Sequence, residues 1–81
     1  MQYSRTPQFE RAFKKLQKQI KRAFEKQLRF LLSDIRHPSL RAKKYDETRG
    51  IWQARVTDNV RFYFQIVDDR YRILDIEKHR D

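Results

Sequence analysis

The sequence contains no cysteine, so it can form neither a disulfide bond nor a thiolate metal site. Its two histidines, His37 and His79, are too few to make a convincing zinc site by themselves. The sequence therefore predicts a protein without a metal or other cofactor. No apolar run approaches the roughly 20 residues that cross a bilayer, and no signal peptide opens the chain. We therefore expect a cytoplasmic protein with no membrane partner.

Glycine and proline are also scarce, with one glycine and two prolines, and no linker, repeat or low-complexity segment is present. A chain of 81 residues is expected to form one domain, residues 1–81. A domain of this size buries only about 60–65% of its unfolded surface, so its core must be well packed. One tryptophan, four tyrosines and six phenylalanines supply much of the apolar area.

Acidic residues are few, 11 against 20 lysines and arginines, which gives a net charge of +9. This balance favours a polyanionic partner, which could be nucleic acid, an anionic membrane or an acidic protein. Thirteen of the basic residues lie between Arg5 and Lys44, where a solvated helix face accounts for part of the charge. A membrane-surface helix is disfavoured because so short a chain needs its apolar stripe for the core.

Apolar residues recur in steps of three and four throughout the span Phe9–Ile35, which predicts helix with one apolar face. Thr6 is the expected N-cap and Pro7 the first helical residue. One helix over this span would extend about 40 Å, too long for a domain whose radius of gyration should be about 12 Å. We therefore predict two antiparallel helices with a break near residues 17–19. The second should end before His37-Pro38, because the residue before a proline avoids helical geometry.

Strand patterns follow the helices. Residues 51–56, 60–67 and 71–77 are rich in β-forming residues and are separated by short turns, which predicts an antiparallel meander. A short first strand is expected at residues 2–4, and residues 39–50 read as a polar loop with room for a short strand or turn. The predicted fold is α+β, with two N-terminal helices packed on one face of a small antiparallel sheet.

Alternation along the strands sorts their side chains into two faces, provided that no bulge shifts the pattern. The set expected to pack on the helices is Trp52, Ala54, Val56, Phe62, Phe64, Ile66, Leu74 and Ile76. The set expected on the opposite face, hereafter the open face, is Gln53, Arg55, Arg61, Tyr63, Gln65, Tyr71, Ile73, Asp75, Glu77 and His79. One interpretation of this face is a solvated surface with cross-strand ion pairs such as Arg55–Asp75 or Arg61–Glu77.

A second interpretation is chemical, because the open face gathers two arginines, a tyrosine and a histidine on a basic domain. These residue types suit cleavage of an RNA phosphodiester by its own 2′-hydroxyl. Histidine can act as acid or base near neutral pH, and arginine donates forked hydrogen bonds to the charge that develops on the phosphorane. Tyrosine can stack on a base or orient a proton. The side chains of Arg61 and His79 are expected to face solvent.

Three segments together resemble one known family. Residues 51–66, IWQARVTDNVRFYFQI, resemble the second and third sheet strands of RelE/YoeB-type toxins: an aromatic, a basic residue, a turn, and an arginine that opens an apolar strand. Residues 37–41, HPSLR, followed by Lys43 and Lys44, resemble the segment after the helices in that superfamily. Residues 77–80, EKHR, resemble its C-terminal motif. The resemblance covers essentially the whole chain.

The resemblance implies a microbial-RNase-like RelE fold and the toxin of a type II toxin–antitoxin module. Such a toxin would cut mRNA in the ribosomal A site, inhibit translation and form a hetero-oligomer with a cognate acidic antitoxin. Arg61 matches the arginine at the scissile phosphate, His79 the general acid, and Arg55 a basic position that helps to hold the phosphate. The further positions expected to contact RNA are Lys43, Lys44, Gln53, Tyr63 and Arg80.

Two features depart from the family pattern. The tyrosine that often follows the catalytic basic residue is replaced, since Arg80 and Asp81 follow His79. The glutamate base of YoeB-like members has no clear match, although Asp46 and Glu47 lie nearby in the sequence. Three alternatives stay open: a ParE-like inhibitor of DNA gyrase, a catalytically inactive RNA- or ribosome-binding protein, and a domain that only binds an acidic protein. ParE-like chains lack the catalytic arginine and histidine, which argues against the first.

Overall fold

The computed structural model describes residues 1–78 and contains two helices and five strands. In chain order these are β1 (Gln2–Arg5), α1 (Pro7–Lys14), α2 (Lys18–Ser33), β2 (Lys43–Asp46), β3 (Ile51–Thr57), β4 (Val60–Val67) and β5 (Arg70–Lys78). The sheet has the order β1-β5-β4-β3-β2; β2 to β5 pair antiparallel, and β1 pairs parallel with β5. The α+β fold class is confirmed, although β1 makes the sheet mixed. Within residues 1–78, no helix is long and apolar enough to cross a membrane.

The predicted helix boundaries follow from local capping and from the size of the domain. The Thr6 hydroxyl accepts a hydrogen bond from the Phe9 amide at 3.1 Å, and Pro7 occupies the first helical position. The helical span is broken between Lys14 and Lys18, close to the predicted break. The radius of gyration of 11.7 Å leaves no room for one continuous helix of this length. The second helix ends at Ser33, before the predicted limit.

The segment after the helices contains a strand that its polar composition only hinted at. Strand β2 pairs antiparallel with β3, with Lys43 opposite Gln53 and Lys44 opposite Trp52. A turn then leads into β3 through Gly50, whose φ of +65° lies in the left-handed region where glycine is favoured.

The core is an aromatic cluster between the helices and the sheet. Phe9, Phe24, Phe62 and Phe64 are all fully buried. The ring of Phe24 on α2 lies 5.0 Å from that of Phe9 on α1 and 5.2 Å, edge to face, from that of Phe62 on β4. These contacts join both helices to the central strand, so the helix face of the sheet is closed.

The predicted alternation is wrong over part of β5 because of a β-bulge. Tyr63 lies opposite Asp75, whereas the next residue, Phe64, lies opposite Ile73, so Leu74 is the extra residue. Tyr71 and Ile73 are therefore buried in the core and not on the open face, while the partly buried Leu74 lines a cleft with open-face residues instead of joining the core.

One further assignment to the core is wrong at the end of β4. Ile66 has the same parity as Phe62 and Phe64 but is 45% exposed. It lies opposite Tyr71 near the turn between β4 and β5, where Val67 is equally exposed. Parity alone therefore did not decide burial at this end of the strand.

Candidate functional site

The open face brings together most of the residues that the sequence singled out. Across the central strands, Arg55 lies opposite Arg61, and Gln53 lies opposite Tyr63. On the other side of β4, Arg61 lies opposite Glu77. Glu77 follows the bulge at Leu74 and lies on the same face as the two arginines, which is the face predicted for it.

A cleft of about 400 Å³, hereafter the basic cleft, opens on this face. Its lining residues are Arg41, Lys43, Gln53, Ala54, Arg55 and Arg61. Four of the six carry a positive charge, and no acidic side chain of residues 1–78 lines it. Cations gathered in a concave surface produce a positive potential that attracts anions such as phosphate. Within residues 1–78, neither of the cross-strand ion pairs considered above, Arg55–Asp75 and Arg61–Glu77, forms. The arrangement therefore suits binding of a nucleic-acid backbone better than a solvated surface of ion pairs.

Arg61 has a structural contact that the sequence did not predict. Its Nη1 donates to the carbonyl oxygens of Thr57 at 2.6 Å, Asp58 at 3.1 Å and Val60 at 3.1 Å. The side chain is thus half-buried and holds the β3–β4 turn, whereas it was expected to be simply solvent-facing. Its Nε and Nη2 make no hydrogen bond with residues 1–78, so part of the guanidinium fork can still donate to a ligand in the basic cleft.

Arg55 contributes a second guanidinium beside the first. Its Nη1 lies 3.4 Å from an Asp58 carboxylate oxygen, and its Nε is buried without a hydrogen-bond partner among residues 1–78. An unpaired buried donor costs about 1–3 kcal/mol, and more when the group is charged. The Arg55 guanidinium adds positive charge to the wall of the basic cleft.

Gln27 is a residue of the site that the sequence reasoning missed. It is 4% exposed on α2, and its amide nitrogen donates to the carbonyls of Ser39 at 3.0 Å and Arg55 at 2.8 Å. Its amide oxygen accepts from the Ser39 hydroxyl at 2.9 Å. These bonds fix strand β3 and the segment that leads to Arg41 behind the basic cleft. The available signal was a polar residue inside the apolar stripe, three residues after Phe24.

The two predicted RNA-binding lysines lie on opposite faces of the sheet edge. Lys43 lines the basic cleft, as expected of a phosphate contact. Lys44 instead lies opposite Trp52, with its ammonium 5.2 Å from the centre of the indole ring. The period of two along a strand separates neighbouring residues in this way, and the polar loop predicted here offered no such distinction.

The other predicted positions have different outcomes. Gln53 and Tyr63 are on the open face but only 8% and 6% exposed, which leaves the Tyr63 ring little surface for stacking on a base. His79 and Arg80 lie outside the described residues. His37 stacks on Phe30 with 3.8 Å between ring centres, and its Nδ1 accepts from the Ser39 amide at 3.1 Å, so its contacts are structural.

Burial and neighbouring charge keep Tyr63 protonated. Burial, first, and the Glu77 carboxylate raise the pKa of Tyr63 far above its usual value. Its hydroxyl is buried and forms no hydrogen bond of normal distance and angle with any residue from 1 to 78. Tyr63 is therefore a neutral donor whose nearest acidic neighbour, the Glu77 carboxylate, is the acceptor in hydrogen-bonding range.

Comparison with solved structures identifies the same architecture in several toxins. A YoeB/ParE toxin from Agrobacterium tumefaciens superposes with a TM-score of 0.82 at 13% identity, over 99% of this chain and 100% of that one. RelE in an archaeal RelE-RelB complex from Pyrococcus horikoshii gives 0.78 at 20% identity, over 95% and 92%. The intact E. coli RelBE toxin-antitoxin complex gives 0.77 at 13% identity, over 99% and 98%. At these identities the likeness shows the common fold.

Sequence comparison gives the family. No curated protein matches the chain significantly. A family model described as the ParE toxin of the type II toxin-antitoxin system, parDE, matches residues 3–81, nearly the whole chain. With the RelE/YoeB-like fold already established, the match places the chain in the RelE/ParE superfamily. The chain belongs to the ParE toxin family, and it is a toxin of a type II toxin–antitoxin system.

Proposed function

We propose that this toxin is an endoribonuclease that cuts mRNA in the ribosomal A site and so inhibits translation. The observation that carries the proposal is the basic cleft, where Arg41, Lys43, Arg55 and Arg61 converge without an acidic residue of the described chain in the wall. A gyrase inhibitor that works by binding alone needs no such concentration of phosphate-binding groups at one point. Cleavage of a phosphodiester does need it, because negative charge builds on the phosphorane.

In the proposed mechanism, which requires no metal, the 2′-oxygen of the RNA attacks the phosphorus while its proton passes to water. The bond from phosphorus to the 5′-oxygen breaks, which leaves a 2′,3′-cyclic phosphate. The unengaged Nε and Nη2 of Arg61 donate to the non-bridging oxygens, and the Arg55 guanidinium beside them adds positive charge. Donors held by the turn and by the sheet need little reorganisation as charge develops, which lowers the barrier. His79, outside the described residues, is proposed as the general acid that protonates the 5′-oxygen leaving group.

Binding of the RNA backbone is assigned to the rim of the basic cleft, and the opposed lysines test this assignment. Lys43→Ala should lower the slope of log affinity against log salt by about 0.7–0.9, the counterion release of one phosphate contact. Lys44→Ala is the matched control, because it removes the same charge from the neighbouring residue on the Trp52 side. The measurement is binding of a short RNA, or of ribosomes, from 50 to about 200 mM salt. Equal salt slopes for the two variants would show that Lys43 does not contact the RNA backbone.

The family match favours a second candidate, a ParE-like inhibitor of DNA gyrase on the same fold. Induced expression followed by mapping of mRNA 5′ ends separates the two functions. New ends in phase with codons would support the endoribonuclease. Intact mRNA together with DNA damage would favour gyrase inhibition, and intact mRNA with undamaged DNA would favour an inactive RNA- or ribosome-binding protein.

We further propose that a cognate acidic antitoxin binds this toxin, as RelB accompanies RelE in the P. horikoshii complex. The contact proposed for it is the basic helix surface formed by Lys14, Lys18 and Arg22, all exposed. Association should slow as salt rises, because exposed charges are screened beyond about 8–10 Å at physiological ionic strength. Stopped-flow mixing of toxin and antitoxin at increasing salt tests this. An association rate that does not change with salt would show that the antitoxin does not bind this surface.

A further inference from the structure

A chain of hydrogen bonds joins the turn after α2 to the strand that carries Arg55. In that turn the half-buried His37 accepts from the Leu40 amide through its carbonyl at 3.0 Å and from the Ser39 amide through Nδ1 at 3.1 Å. The Ser39 hydroxyl then donates to the Gln27 amide oxygen at 2.9 Å. Gln27 in turn donates to the Arg55 carbonyl at 2.8 Å. The imidazole is therefore linked through two side chains to the backbone of a residue of the basic cleft.

The same turn also holds the other backbone group of Arg55. The Leu40 carbonyl accepts from the Arg55 amide at 2.7 Å, and the Leu40 side chain is fully buried. The next residue, Arg41, lines the basic cleft with a φ of +47°, in the left-handed region that residues other than glycine rarely adopt. Such a backbone conformation persists only where the surrounding contacts enforce it. The geometry of the turn therefore sets where Arg41 and Arg55 enter the cleft.

The His37 ring is held in one orientation by Phe30. The two rings are almost parallel, at 6°, with 3.8 Å between their centres. A protonated imidazole can stay stacked there, because the face of an aromatic ring attracts a cation. Protonation therefore changes the hydrogen bonding of Nδ1 and leaves the ring in place. The charged imidazole carries an N–H on both nitrogens, so Nδ1 and the Ser39 amide then face each other as two donors.

The charged groups near this ring belong to α2 and to the turn. The Lys26 ammonium lies 5.9 Å from the centre of the Phe30 ring on which His37 stacks. The Asp34 carboxylate accepts from the Arg36 amide at 2.9 Å, and the Arg36 side chain is exposed. Within residues 1–78, no ion pair includes His37. Histidine is the side chain whose charge ordinarily changes between pH 5 and 8, so mild acid acts on this turn through the imidazole.

We propose that His37 is a positioning residue for RNA binding, whose neutral imidazole holds the basic cleft in its binding geometry through Ser39 and Gln27. The inference rests on the proposed function, which assigns the RNA backbone to that cleft. Protonation of His37 breaks the bond from the Ser39 amide and loosens the turn. Arg41 and Arg55 then lose part of the support that sets their positions, so mild acid weakens RNA binding without changing the charge of either arginine.

The test compares three proteins for binding of a short RNA with a 2′-deoxy sugar at the cleavage position, at about pH 8 and about pH 5.5. In His37→Asn the side-chain oxygen accepts from the amide two residues on, as in an Asx turn, and does not titrate. The wild type should match His37→Asn at the higher pH and bind about 3- to 10-fold more weakly at the lower one, as expected for loss of one hydrogen bond. His37→Ala, which lacks the acceptor, should be weaker than His37→Asn by a similar factor at both pH values. His79 is present in all three proteins, so its own titration cancels from these ratios.

Nuclear magnetic resonance follows the same path without RNA. The side-chain amide signal of Gln27 should shift between the two pH values in the wild type and stay in place in His37→Asn, and thermal unfolding should confirm that both variants fold. A Gln27 signal that shifts equally in both proteins, or an affinity ratio that does not change with pH, would overturn the positioning role of His37 while the proposed function still stood. Absence of RNA binding by the wild type at either pH, with no mRNA cut in cells, would overturn the proposed function and the role in RNA binding together.

Discussion

Arg61→Ala is expected to slow mRNA cleavage by about 10²–10³, equivalent to about 3–4 kcal/mol of transition-state stabilisation. The variant loses Nε and Nη2, the donors aimed at oxygens whose charge grows in the transition state. It also loses the Nη1 bonds to the carbonyls of the β3–β4 turn. We expect that loss to lower the free energy of unfolding by about 1–2 kcal/mol, since solvent can hydrate these carbonyls. The measurements are single-turnover cleavage on programmed ribosomes and urea unfolding.

Two variants separate charge, shape and folding in this experiment. Arg70→Ala removes the same charge from an exposed residue at the start of β5, far from the basic cleft, and should cleave normally. Arg61→Lys keeps the charge but not the planar fork, so it should recover only part of the rate. The expected loss of about 1–2 kcal/mol is smaller than the total free energy of unfolding of about 4–12 kcal/mol expected for 81 residues. Arg61→Ala should therefore still fold. A folded Arg61→Ala variant that cuts mRNA at the normal rate would contradict the proposed mechanism.

Gln27→Leu should lower the free energy of unfolding by about 2–4 kcal/mol. The side chains are similar in size, but leucine leaves the carbonyls of Ser39 and Arg55 without the donor they share, and each unsatisfied buried group costs about 1–3 kcal/mol. Because the same bonds hold the backbone behind Arg55 and Arg41, RNA affinity should fall even where the variant remains folded. Urea unfolding and RNA binding at low temperature measure the two effects.

Gln19→Leu provides the control for that substitution. Gln19 lies on the exposed side of the same helix, where such changes usually stay within about 0.5 kcal/mol. If Gln27→Leu were as stable as Gln19→Leu, the buried amide would have no role in holding the sheet to α2, and the cleft would depend on other contacts.

Features of the fold that depend on a short stretch of sequence could be predicted, whereas features that depend on contacts between distant residues could not. The start of α1 needed only Thr6 and Pro7, and the core faces of α2 and of β4 as far as Phe64 needed only a regular period. The assignment of Arg55 and Arg61 to one face required two strands and a three-residue turn, all within residues 51–67. Leu74 was misassigned because the bulge that displaces it is a property of two paired strands and cannot be found from alternation in one.

The sequence by itself determined the α+β class, the helix break, the basic character and the placement of Arg55 and Arg61 on the open face, because these follow from periodicity, chain length and charge. Only the tertiary structure decided that Gln27 closes the basic cleft from behind, since that needs a contact between residues 28 apart along the chain. It also decided that Lys43 and Lys44 face opposite ways and that Tyr63 is buried beside Glu77. Burial and hydrogen-bond partners depend on which strands lie side by side, and distant parts of the chain meet only when the sheet forms.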